Sequence, residues 1–428
     1  MSEFDRIIGY EEEKLEMMRY ADALKNPEKY RNLGATTPTG VFLFGKPGVG
    51  KTLMAECFIA ESGCKAFTIR KDRPKDDLMN TIRETYEKAR VSAPAIVFLD
   101  DIDKFANEDL PFSNAEEYVT VQACIDECRG VRVFSLATAN SKDDLPESLL
   151  RAGRFDKTIE LIEPKEKDSI SILKHYLSQR ELLDDVDPEV IARILYGHSC
   201  AVLESVINEA GIYAGFEGHE KISQKDLIRA CLRELYEAPE YHGDADPELL
   251  RSYAIHEAGH AVVAEVLEPG SVALAAICKR AGSSNGIVNV TRPGEFNLTM
   301  DLQKNKMMCG LGGKAATEVI LGVTDLGCEL DLKKVKWSLN RLVAERGAYG
   351  FEALNKASNS SQAHQERVES IISSEMEHMY NKAKRIILEN RDLFDAIVDA
   401  LIEKRSITYK DIERIKAGLN QNKTNNAA

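Results

Sequence analysis

Two histidines four residues apart, with a glutamate beside the first, carry the most pointed chemistry in this chain: His256-Glu257-Ala258-Gly259-His260. They lie in a run that reads as helix over residues 247–267, where positions four apart share a face, so both imidazoles can reach one metal ion. Catalytic zinc takes three protein ligands and keeps a fourth position for water, whose pKa it lowers toward neutrality. Glu257 would take that water's proton and pass it to a leaving amine, which is the chemistry of a zinc peptidase. Two ordinary helix histidines in an alanine-rich core segment are the competing reading. Downstream, Glu318, Asp325, Glu329 and Asp331 could each supply the third ligand.

A second constellation lies near the N-terminus, Gly45-Lys46-Pro47-Gly48-Val49-Gly50-Lys51-Thr52. Glycines at this spacing let backbone N–H groups wrap phosphate oxygens at a helix N-terminus, Lys51 reaches the outer phosphates, and the Thr52 hydroxyl can ligate magnesium. The aliphatic run 96–99 then delivers Asp100 and Asp101 to the same sheet edge, Asp100 to hold the metal and Asp101 to orient or deprotonate the attacking water. A solvated acidic turn is the alternative there. Asn140 closes another strand end, where its amide could meet the outer phosphate or the water. Arg151 and Arg154 flank Gly153; they could be surface charges, or equally fingers that stabilise phosphoryl-transfer charge in a neighbouring subunit's site.

Positioning these residues requires a framework, and the first 162 residues supply its pattern. Short aliphatic or β-branched runs at 41–44, 66–69, 95–99, 131–137 and 158–161 alternate with helical periodicity, which predicts a parallel sheet with helices on both faces. Ligands of such sheets sit beyond the carboxyl ends of the strands, where the phosphate loop falls. Strands then stop, and residues 163–240 read as a helical lid, with 238–246 as the linker. Residues 241–419 read as a mainly α-helical metal-site domain holding two short strands, 272–278 and 286–290, and the polar tail 420–428 reads as disordered.

Composition is consistent with this division. A chain of 428 residues, 43% hydrophobic and 29% charged, can fill two or three cores. Its net charge of -14 disfavours nucleic acid as main partner, because a phosphate backbone would be repelled. Nine cysteines without paired spacing fit reduced thiols and a cytoplasmic location. The acidic start is no signal peptide, and no apolar run reaches membrane-spanning length, so no integral membrane segment is expected.

Taken together, the motifs resemble the FtsH-type AAA+ proteases, in which an ATPase module and a zinc peptidase share one chain. The similarity runs from Phe4-Asp5-Arg6-Ile7-Ile8-Gly9 to the final helices. It takes in the phosphate loop, residues 96–103, the Asn140 region, Leu149-Leu150-Arg151-Ala152-Gly153-Arg154-Phe155-Asp156, the two-histidine motif and Gly312-Gly313-Lys314-Ala315-Ala316. The resemblance implies a P-loop AAA+ α/β domain with its lid, then a zinc peptidase domain, using ATP, Mg2+ and Zn2+. It implies that Ile8, Gly9, Pro47, Gly48, Val49, Gly50, Lys51, Thr52 and Asp100 bind the nucleotide, and that Asp331 is the third zinc ligand beside His256 and His260. It further implies a homohexameric ring with Arg151 and Arg154 acting in trans, protein substrates drawn through the ring, and an edge strand at 286–290 that aligns them by β-addition.

The chain also departs from the family. Relatives usually carry N-terminal membrane spans, whereas this sequence opens almost directly on the ATPase segment, which predicts soluble substrates or docking through a partner. The pore-loop segment Ile69-Arg70-Lys71-Asp72-Arg73-Pro74-Lys75-Asp76-Asp77-Leu78-Met79 is short and lacks an aromatic-glycine grip. Asp101 stands where relatives carry Glu, one methylene shorter, which predicts slow ATP turnover. His198-Ser199-Cys200-Ala201 replaces a Gly-Ala pairing in the lid, Tyr176 takes the place of the lid histidine, one position after His175, and Leu330 replaces the Asn before Asp331. The altered pore segment motivates an alternative, an ATPase remodelling module with a weakly used or ATP-independent zinc peptidase site.

Overall fold

The computed structural model describes residues 2–36, 38–71, 77–105, 116–238, 246–278, 286–291, 299–324, 326–354 and 362–427. The core of the pore-loop segment, most of the expected linker and the candidate ligand Asp325 lie outside the described residues. Contacts gather the chain into two compact units, Met1–Glu181 with Gly197–Asn208, and Leu182–Tyr196 with Glu209–Ala428. The helices expected to form one lid are thereby divided between the two. No helix among the described residues is long and apolar enough to cross a membrane.

In the first unit, β1 (Gly40–Phe44), β2 (Lys65–Ile69), β3 (Ala95–Leu99), β4 (Val133–Ala139) and β5 (Lys157–Glu160) form a parallel sheet in the order β2-β3-β4-β1-β5. Helices α1 (Glu11–Lys25), α2 (Pro27–Arg31), α3 (Lys51–Ser62), α4 (Leu78–Val91), α5 (Glu116–Glu127) and α6 (Glu166–Leu177) accompany it. Successive strand residues point to opposite faces. Val41, Leu43, Ile96 and Phe98 therefore pack with Met54 and Phe58 of α3, while Phe42, Val97 and Leu99 pack with Ile82 of α4 and Val121 of α5. Covered on both sides, β3 and β4 are buried along their whole length.

The fourth strand starts two residues later than its apolar run suggests. Val131 sits in a turn, its N–H donating to Cys128 O at 3.0 Å. At the other end the strand continues because Thr138 and Ala139 pair with Leu43 and Phe44. This extension carries Thr138 to the edge where the site residues emerge.

The remaining helices are α7 (Pro188–Ile194), α8 (Cys200–Phe216), α9 (Gln224–Tyr236), α10 (Pro247–Leu267), α11 (Met300–Leu321), α12 (Glu329–Ala344), α13 (Gln362–Glu389), α14 (Arg391–Lys404) and α15 (Tyr409–Ala427). In the second unit an antiparallel sheet in the order β7-β6-β8 is formed by β6 (Val272–Ile277), β7 (Gly286–Val290) and β8 (Ser406–Thr408), with α10 packed along β6 and β7. Asp246 caps α10 by accepting from the Glu248 N–H at 3.0 Å, and Pro247 opens its first turn. In the tail, where the sequence suggests disorder, α15 continues to Ala427. No proline interrupts that stretch, and its first turns are anchored, Ile412 being buried in the core.

Two glycines set how closely α10 and α11 approach. A Cβ at Gly259 would stand 2.3 Å from Gly312 O, and one at Gly312 would stand 2.5 Å from Gly259 O. Only residues without side chains allow the backbones this close. The result presses α11 against the histidine face of α10.

Candidate metal centre and nucleotide site

On α10 the His256 and His260 rings stand with their Nε2 atoms 3.1 Å apart. Asp331, in the first turn of α12, brings Oδ2 to 3.5 Å from His256 Nε2 and 3.6 Å from His260 Nε2. The three ligand atoms lie within 4.8 Å of one another, a spacing one ion can bridge. Two imidazoles and a carboxylate form a donor set that suits zinc. Two of the other candidates are engaged elsewhere: Glu318 accepts from Tyr380 and from Lys384 Nζ, the latter at 2.5 Å, and exposed Glu329 pairs with Lys333 at 2.5 Å.

A second layer orients these groups. His260 Nδ1–H donates to Cys309 O at 2.7 Å, which orients the ring with Nε2 toward the cluster. A Cβ at Gly313 would sit 2.4 Å from His256 Nε2 and 2.5 Å from His260 Nε2, so the bare backbone of α11 forms one wall. Spacing in the sequence could not show this role.

Charge is concentrated here. Burial alone would raise the Asp331 carboxyl, yet the two imidazoles reverse the effect and hold it well below the usual carboxylate range. Burial likewise works against a charged His260, but the Asp331 and Glu257 carboxylates outweigh it and bring its pKa up to about 9. Glu257 is 5% exposed, and burial pushes its carboxyl above the ordinary value, which favours a group that must accept a proton. Gly286, the first residue of β7, crosses so near that a Cβ there would stand 2.4 Å from the Glu257 carboxyl carbon. The edge strand of this sheet therefore begins at the glutamate.

At the nucleotide site, Gly45, Gly48 and Gly50 have φ of 148°, 78° and 98°, backbone that glycine adopts without strain. Val49 is buried and Pro47 is exposed within the same loop. Lys51 donates to Gly45 O at 2.7 Å, Lys46 O at 3.0 Å and Asn140 Oδ1 at 3.1 Å, and burial lowers its pKa. Asp100 is buried, accepting from Thr138 Oγ1 at 2.8 Å with Thr52 Oγ1 3.4 Å away. A hydroxyl and a carboxylate are hard oxygen donors of the kind magnesium takes. Asp101 adopts a left-handed φ of 52° and accepts from Lys104 at 2.6 Å.

Ile8 lines an apolar cavity of about 110 Å³ beside the loop, with Tyr10, Leu53, Leu161 and Tyr176 among its walls. Gly9 precedes Tyr10 with a φ of 77°, where a Cβ would meet the Asp168 side chain at 2.6 Å. The altered lid segment packs on the phosphate loop, the Ala201 N–H donating to Gly48 O at 3.1 Å.

The sequence singled out Asp100 and Asp101 but not Asp103, which organises Asn140. Asp103 Oδ2 accepts from the Asn140 N–H at 3.1 Å and from Nδ2 at 2.8 Å, while its buried Oδ1 has no hydrogen-bond partner among the described residues. Its position two residues after Asp101, at the start of a short 3-10 turn, was the available signal. The two arginines differ in setting. Arg154 is held within its own unit by Asp126 at 2.8 Å, Gln122 at 2.9 Å and Ser148 O at 2.6 Å, whereas Arg151 is exposed and its side chain makes no hydrogen bond or ion pair among the described residues.

Residues 41–162 match the ATPase family associated with various cellular activities (AAA), and residues 245–415 match peptidase family M41. Among similar proteins, one named ATP-dependent zinc metalloprotease FtsH 2 from Phytoplasma mali is 31% identical, covering 96% of this chain and 62% of its own length. Proteins of the same name from Symbiobacterium thermophilum and Thermoanaerobacter sp. are 30% and 29% identical, each over 96% of this chain, which spans 74% and 82% of their lengths. An AAA segment, an M41 segment and this similarity across nearly the whole chain place the protein in the FtsH family of ATP-dependent zinc metalloproteases.

Proposed function

We propose that this chain is an ATP-dependent zinc endopeptidase that uses nucleotide hydrolysis to deliver protein substrates to His256, His260, Asp331 and Glu257. The observation that carries the reading is the convergence of Asp331 on two imidazoles beside a buried glutamate, in a chain that also holds a glycine-shaped phosphate loop. His256, His260 and Asp331 would hold the zinc, which would supply Lewis-acid activation of a water and of the peptide carbonyl. Glu257 takes the proton from that water and returns it to the departing amine. Its burial raises the basicity it needs for the first transfer and excludes bulk water during the second. A peptide added along β7, at the edge of its sheet, passes Gly286 and so meets Glu257.

In the ATPase half, Thr52 and Asp100 would hold Mg2+, Lys51 would turn from the loop carbonyls to the outer phosphates, and Asp101 would exchange Lys104 for the attacking water. Asn140 positions that water while Asp103 fixes its amide. Ile8 and Gly9 face the base. The working assembly is a homohexamer in which exposed Arg151 reaches a neighbour's nucleotide, whereas Arg154 holds α5 against its own loop. Degradation of an unfolded protein by the parent and by Glu257→Gln tests the peptidase assignment. We expect a fall of at least about a hundredfold, with zinc content and ATPase unchanged; equal rates would sink the assignment.

A further inference from the structure

Strands β2 and β3 end together: Ile69 and Leu99 are register partners, and the Asp100 N–H donates to Ile69 O at 3.0 Å. The next residues, Arg70 and Asp100, therefore leave the sheet side by side, and the Arg70 guanidinium forms an ion pair with Asp100 Oδ2. The other carboxylate oxygen, Oδ1, faces the Thr138 and Thr52 hydroxyls. One buried carboxylate thus serves two cations, the metal that Oδ1 and Thr52 are placed to hold and a guanidinium supplied by the chain itself.

Three carboxylates, Asp100, Asp101 and Asp103, act electrostatically on Lys51 in the phosphate loop. Lys104 pairs with Asp101 and the Asn140 amide donates to Asp103, so the cation provided for Asp100 is Arg70. A nucleoside triphosphate without metal brings several negative charges to this edge, and an uncompensated Asp100 would repel it at close range. A guanidinium on Oδ2 offsets that repulsion. It also competes for the electron density that a divalent ion would draw on, so the metal gains less from Asp100 than it would from a bare carboxylate. The Arg70 side chain is 55% exposed against 2% for Asp100, so the arginine can yield its partner while the aspartate stays fixed.

We infer that Arg70 is a built-in counter-ion for the metal-ligating carboxylate and that it reduces the dependence of nucleotide binding on magnesium. The inference rests on the assignment of Thr52 and Asp100 proposed above. Its measure is the coupling between metal and nucleotide, the ratio of affinities with and without magnesium. Binding of a fluorescent non-hydrolysable ATP analogue would be measured in Mg2+ and in EDTA for the parent, Arg70→Gln and Arg70→Lys. We expect Arg70→Gln to raise the ratio about tenfold, a typical coupling between two ligands, chiefly through weaker binding in EDTA. Arg70→Lys, which keeps the charge, should return the ratio toward that of the parent. An Arg70→Gln ratio equal to the parent's overturns the inference. Parent binding no better than that of Lys51→Ala in either buffer would overturn the nucleotide-site reading instead, and this inference with it.

Discussion

At the scale of single residues, the proposed metal centre is a balance between burial and charge. His260 is nearly buried, and burial by itself would make its protonated form unfavourable. Asp331 and Glu257 win because both carboxylates are close, so the metal-free imidazole holds its proton up to about pH 9. Zinc must displace that proton, and raising the pH removes the competitor. Apparent zinc affinity should therefore strengthen about tenfold per unit between pH 7 and 8 and level off above about 9, as measured by competition with a chelator of known affinity at each pH. Gly313→Ala tests the same site sterically. Its methyl would lie 2.4–2.5 Å from both ligand nitrogens, so the variant should lose most of its zinc in metal analysis while far-UV circular dichroism stays unchanged.

At the scale of elements, the crossing of α10 and α11 carries the site. The Gly259 and Gly312 backbones touch, which places Gly313 and the Cys309 carbonyl against the imidazoles. Gly259→Ala would drive a methyl into Gly312 O, an overpacking expected to destabilise by about 1–3 kcal/mol. Thermal unfolding of the metal-free chain should report that loss. Zinc affinity should fall as well, because the helices can relieve the clash only by moving apart. The strands position the other site in a similar way: β3 and β4 end where Asp100 and Thr138 face each other, and α3 begins at Lys51.

At the scale of the whole molecule, the two arginines beyond the phosphate edge separate assembly from folding. Arg154 is tied to Asp126, Gln122 and Ser148 inside its own unit, and Arg154→Ala should lower the melting temperature. Exposed Arg151 has no such duty. Arg151→Ala should melt with the parent and bind nucleotide normally, yet lose on the order of a thousandfold in ATP turnover. Mixing it with Lys51→Ala chains should restore part of that turnover if the arginine serves a neighbouring subunit's site, and no recovery in mixed assemblies would remove the trans assignment.

The sequence by itself determined the chemistry on offer. Spacing of four on a helix is a local property, so the pairing of His256 with His260 was legible, as were the glycine loop and the strand ends that carry Asp100 and Asp101. Helix α10 and strand β7 were also readable, because capping residues and apolar runs act over a few neighbours. Choices between distant residues were not. Glu318, Asp325, Glu329 and Asp331 are equivalent as letters; among the described residues Tyr380 and Lys384 engage Glu318, Lys333 pairs with Glu329, and the turn into α12 carries Asp331 to the imidazoles, which supports it as the proposed third ligand. The same holds for Arg151 against Arg154, for Gly313 as a wall of the metal centre, and for Arg70 on Asp100. Each depends on which chain segments pack together, a global balance that no short window of sequence contains.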